Sequence, residues 1–260
     1  MGHKRYNYLP KTTKWIELVK QLDDFANNQC DITQIAKQTL QNVRNQFDKL
    51  ENDPSIYSSF EYLLELSNAF QKENPIEYLK AEGIFDEKEL TVLKLGRGLK
   101  KYKEDEAVSK EYQTLANQAG IEALNKWYKE NLESGITFFN EKVDNEFVFS
   151  KISDARKFSD LTRYYFASFT ERYLKYFLER SASSTITNIN EREQFNKAIE
   201  NHVKGISKHA LETTNITQGF NASWHNKYAK GLRPSKKEIS KFLSYSLKKM
   251  KGELLREEAA

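Results

Sequence analysis

Every proline in this chain stands where a helix can begin, and none interrupts a periodic stretch. There are four in 260 residues. Pro10 precedes Thr12-Thr13, a cap for a helix starting near Lys14. Asp53-Pro54 and Asn74-Pro75 each pair a capping side chain with proline at the first helical position, where its missing N–H is not needed. Pro234 precedes Ser235-Lys236-Lys237-Glu238, a capping box in which Ser and Glu satisfy each other's exposed backbone donors. Gly and Pro together make about 5% of the chain, against roughly 12% in an average protein. An all-β chain needs a turn every 8–12 residues or so, and this one lacks the residues to make them.

Between these marks the apolar period is near 3.6. Trp15, Leu18, Val19, Leu22 and Phe25 share one face, and so do Ile32, Ile35, Ala36, Leu40, Val43, Phe47 and Leu50. A third helix follows Pro54, and a short one from Pro75 stops at Gly83. Asp86 is read as capping the next, and 109–133 gives a longer one. Residues 136–150 are compatible with a helix or a short hairpin. Further helices are expected at 154–180, 191–213 and 236–256, with 214–230 helical but broken near Gly219. The fold class is all-α, a bundle or irregular array of about eight to ten helices. Ser181 to Thr185 reads as a linker between an N-terminal bundle, 1–180, and a C-terminal basic region, 191–260, unless the two form one continuous domain.

Composition excludes several function classes. One cysteine, Cys30, allows neither an internal disulfide framework nor a cysteine-based zinc site, which fits a reducing, cytoplasmic setting. No run of about 18 apolar residues occurs, so no membrane span is expected. The N-terminal residues lack the apolar core of a signal peptide. An Asn/Lys/Ile-rich composition suits an AT-rich bacterial genome.

The formal charge of +4 conceals an uneven distribution. Residues 201–260 carry twelve basic against five acidic groups, leaving the first 200 with 29 against 32. On a helix from 236, Ile239, Leu243, Leu247, Met250 and Leu254 form an apolar seam. Lys237, Lys241 and Lys248 lie together on the opposite side, beside Ser244 and Lys251. Lys237 to Lys248 covers about 16 Å of axis, enough to meet two or three phosphates. With Lys227, Lys230, Arg233 and Lys249, these residues are the candidate nucleic-acid contacts. A lysine face is also the ordinary solvated side of a helix, and it can dock an acidic protein.

Catalytic signatures are missing. His202 and His209 fall on one helix face but about 10 Å apart along it, too far to bind the same ion. Only His209 and Glu212 have ligand-like spacing. His225, in a polar and aromatic stretch after Trp224, either lines a cleft or belongs to a loop anchored on the core. Gly96-Arg97-Gly98 is a bare Gly-x-Gly inside a helical stretch, not a phosphate loop. The aromatic face Phe158, Leu161, Tyr165, Phe169, Tyr173, Tyr176 and Phe177 reads as core, although aromatics interleaved with Arg163, Arg172 and Lys175 also suit base stacking. No cofactor is expected.

The expectation is therefore a non-enzymatic helical accessory subunit, part of a complex, whose basic C-terminal region contacts nucleic acid. The alternatives are a pure protein-interaction subunit of a multi-component bacterial complex such as a defence system, or an enzyme with a site assembled from His202, His209, Glu212 and His225.

Overall fold

The capping chemistry read from sequence operates at Asp53 and Ser235, whereas Asn74 starts its helix without a side-chain cap hydrogen bond. The computed structural model describes residues 13–27, 29–86, 89–132, 144–186, 188–212, 215–230 and 233–255, with the side chains of 26, 179–185 and 206–219 excepted. Among the described residues are twelve α-helices and no strand. They are α1 (Thr13–Ala26), α2 (Ile32–Asn42), α3 (Arg44–Phe47), α4 (Pro54–Ala69), α5 (Pro75–Ala81), α6 (Val92–Lys101), α7 (Lys110–Leu132), α8 (Asn145–Ser150), α9 (Ala155–Thr185), α10 (Ile189–Glu212), α11 (Asn215–Trp224) and α12 (Lys236–Leu255). Asp53 accepts from the Ser55 and Ile56 amides at 2.9 and 3.4 Å to start α4. At α12, the Glu238 carboxylate accepts from the Ser235 amide at 2.7 Å and the Ser235 hydroxyl caps the Glu238 amide at 3.4 Å. No helix among the described residues is long and apolar enough to cross a membrane.

Two helices carry the core. In α9, Phe158, Leu161, Tyr165, Phe169 and Tyr173 are fully buried on one side, and Leu174 and Leu178 on the other. It packs on α1, α7, α10 and α11. Helix α4 is buried over most of its surface, and Phe60 is its centre. That ring lies 5.2 Å from Phe242 of α12 and 5.9 Å from both Tyr165 and Phe166. The seam of α12 is buried throughout, so the basic helix is bolted to the body by its apolar face.

Three local readings need correction, and one left open is settled in part. The Ser/Thr stretch 181–185 is not a linker but the last turn of α9, followed by the fully buried Ile186. Gly219 does not break α11, because Phe220 and Trp224 after it pack on Phe242 at 5.7 and 4.5 Å. The irregularity falls instead at a π-helical turn, His225–Ala229. Phe147 to Phe149 are helical in α8, while 133–143, with most of the ambiguous stretch, lie outside the described residues. Helix α6 starts at Thr91, whose hydroxyl caps the Lys94 amide, and not at Asp86. Pro10 also lies outside the described residues.

Gly98 shows why the Gly-x-Gly is a packing feature. A Cβ there would stand 2.6 Å from the Ile84 carbonyl and 2.7 Å from the Tyr62 hydroxyl, which is itself committed to the Leu95 carbonyl at 2.8 Å. Gly98→Ala is expected to cost about 1–3 kcal/mol by overpacking, despite alanine's better helix propensity. Gly252→Ala, which meets nothing, should gain up to about 1 kcal/mol. Urea midpoints of the two variants check this, and a fall at Gly252 or a rise at Gly98 would contradict it.

Candidate functional site

The eight basic residues singled out by charge fall into two groups in the fold. Lys227, Lys230, Lys237 and Lys241 are exposed. Among the described residues no carboxylate lies within ion-pair distance of any of them. Lys227 sits on the π-helical turn with its ammonium 4.9 Å from the Tyr228 ring centroid. It and Lys241 both act electrostatically on Glu238, whose pKa is held down first by the Ser235 backbone and hydroxyl. The capping box therefore brings the π-helical turn and the first turns of α12 into one neighbourhood. Lys236, which the stripe did not include, joins them, exposed and 5.6 Å from the Tyr57 ring. Lys249 is half-buried, 5.8 Å from the Tyr245 ring.

Arg233, Lys248 and Lys251 form the second group, and the body engages all three. Lys248 lies 3.0 Å from Glu51 and donates to Ser244 Oγ at 2.9 Å, while Ser244 donates to the same carboxylate at 2.6 Å. Lys251 pairs with Asp48. Arg233 spans three carboxylates: its Nε lies 2.6 Å from Glu65, and its terminal nitrogens lie 3.7 Å from Glu61 and 3.4 Å from Glu82. Glu65 is only 1% exposed and also accepts from the Tyr78 hydroxyl at 3.1 Å. Burial pushes its pKa up, and Arg233 opposes that. Lys103 holds the other side of Glu61 at 2.5 Å. Arg233 thus clasps the segment entering α12 onto α4. The unpaired positive charge is concentrated at the N-terminal half of α12, and is not the full 237–251 stripe.

Of the four residues considered for catalysis, the side chains of His202 and His225 are described. Helix α10 runs through Gly205 without a break, so His202 and His209 stay two turns apart. The side chains of His209 and Glu212 lie outside those described. Among the described residues no group of three His, Cys, Asp or Glu could hold a metal ion. Cys30 is half-buried and its thiol pKa is raised, by burial first and then by Asp24 and Asp31, so it stays a thiol.

His225 is in the core, not at a cleft. Its Nε2 lies 2.7 Å from Ser67 Oγ, and its ring is 4.7 Å from Phe158. Ser67 has one proton and gives it to the Ile152 carbonyl at 3.0 Å. The imidazole must then donate from Nε2, which leaves no base to activate the serine. Burial lowers the His225 pKa to about 4; Asp154 opposes this, and the positive charge of Lys230 adds to it. Nothing in the sequence links these residues, since 158 positions separate them.

No family model, no curated protein and no solved structure matches this chain.

Proposed function

We propose that the protein is a non-enzymatic helical accessory subunit that holds a nucleic-acid backbone on the basic surface around the start of α12. The observation that carries this reading is the group Lys227, Lys230, Lys236, Lys237 and Lys241. All five are exposed, and among the described residues none has an ion-pair partner within the chain. Neighbouring cations are paired with Glu51, Asp48, Glu61 and Glu65, whereas the one acid among these five lysines, Glu238, is engaged by the Ser235 amide and hydroxyl. A rigid helix buried on one side and cationic on the other presents point charges at fixed spacing, which suits phosphates read without base specificity.

Substituting Lys227→Glu, Lys237→Glu and Lys241→Glu together should weaken binding of a labelled oligonucleotide at 50 mM salt by about 100-fold or more. Circular dichroism should be unchanged, because none of the three is buried. Equal affinity of variant and parent in fluorescence anisotropy would remove the reading. Capture of an acidic protein by the same lysines, with no oligonucleotide binding, would transfer the surface to a protein partner.

A further inference from the structure

The aromatic face of α9 is covered along most of its length, but its end is not. Tyr176 and Phe177 are half-buried, and with Tyr112 of α7 they wall an open cleft of about 380 Å3 whose rim carries Gln46, Lys49 and Asp53. That volume is in the range of small-ligand sites. The walls are held in place: Phe177 lies 5.1 Å from both Tyr173 and Tyr176 and 6.2 Å from Trp15, and Tyr112 lies 6.2 Å from Tyr173. Ordered rings at a surface offer π-faces at little entropic cost.

The polar rim narrows the ligand class. Gln46 and Lys49 are exposed, and among the described residues neither makes a side-chain hydrogen bond or ion pair. Asp53 is committed to the Ser55 and Ile56 amides, yet its charge still disfavours an anion inside the cleft. An uncharged planar heterocycle within, with its anionic part outside at Lys49, satisfies all of these groups. Lys49 sits on the segment whose other side, through Asp48 and Glu51, is gripped by Lys251 and Lys248 of α12. The cleft and the C-terminal half of α12 therefore flank the same short ridge, and Lys241 follows about 10 Å further along that helix from Lys248.

We infer that this cleft takes a nucleobase turned out from a single strand, stacked on Tyr176 and Tyr112 with its phosphate at Lys49. The inference rests on the proposed function and adds a preference for single-stranded nucleic acid. Stacking on an aromatic side chain is sequence-tolerant, so the preference is for strandedness and not for a base.

The test uses the full chain, a labelled 12-nucleotide single strand and an abasic strand with the same number of phosphates. The intact protein should prefer the base-bearing strand by about tenfold, the scale of one stacked base. Tyr176→Ala, and Tyr176→Leu which keeps bulk without a π-face, should bring the two strands to parity with the salt dependence unchanged. Equal affinity of the intact protein for both strands, or a preference that survives both variants, overturns the inference and leaves the backbone-binding proposal standing. Failure to bind either strand overturns both.

Discussion

Replacing Arg233 by alanine is expected to cost about 2–3 kcal/mol and to lower the melting temperature by roughly 5–10 °C. Breaking one side of a buried ion pair leaves the other charge uncompensated, at about 3–5 kcal/mol when fully buried. Arg233 is 48% exposed, which reduces that figure, but Glu65 beneath it is only 1% exposed. Burial already favours the protonated form of Glu65, and loss of the guanidinium removes the main opposing charge. The folded variant then holds a proton that the unfolded chain releases more readily. Its deficit relative to the parent should accordingly grow as pH rises from 5 to 8. Adding Glu65→Gln should recover much of the loss, and thermal melts of the double-mutant cycle measure it. The same variant separates clasp from ligand, since a phosphate contact contributes about 0.9 to the salt slope on duplex DNA and a clasp contributes none. A slope reduced by about one in Arg233→Ala would return Arg233 to the interface.

Acid should loosen the opposite side of the same segment. In the unfolded chain the His225 imidazole takes a proton below about 6.5; folded, it resists down to about 4. Between these values the unfolded state binds more protons, so stability rises with pH across the window. The contribution is complete above about 6.5 and is lost as pH falls toward 4. Between pH 7.5 and 4.5 it amounts to about 2–3 kcal/mol. His225→Phe keeps an aromatic ring against Phe158 and abolishes the titration. Urea midpoints for parent and variant should therefore converge by that amount on acidification. Parallel pH profiles would show that His225 does not carry the acid sensitivity.

What the sequence made legible is what local chemistry decides. The capping box at Ser235 and the apolar seam of α12 are set by residues within one helix, and both are present as read. The aromatic face of α9 is continuous because its period is, and it is core from Phe158 to Tyr173. Tertiary contacts override local preference where the reading failed. Serines and threonines at 181–185 have modest helix propensity, yet Ile186 anchors the end of the helix that contains them. Gly219 weakens α11 by about 1 kcal/mol, less than the burial of Phe220 and Trp224 against Phe242 returns. At the candidate site the limit is distance along the chain. Lys248 and Lys241 sit alike on one face, and only Glu51, 193 residues from Ser244, distinguishes them. The cleft at Tyr176 likewise joins α3, α7 and α9, and no local spacing announces it.

The central claim is that unpaired lysines around the start of α12 hold phosphates. Its most direct test is the affinity of the full-length protein for a single strand, measured by anisotropy from 50 to 200 mM potassium chloride. About four phosphate contacts predict a slope near −3 in log affinity against log salt, or roughly a 60-fold loss over that range, falling to about −1 in the Lys227, Lys237 and Lys241 triple variant, which keeps Lys230 and Lys236. An affinity indifferent to salt, or a slope the triple variant leaves intact, would contradict the account.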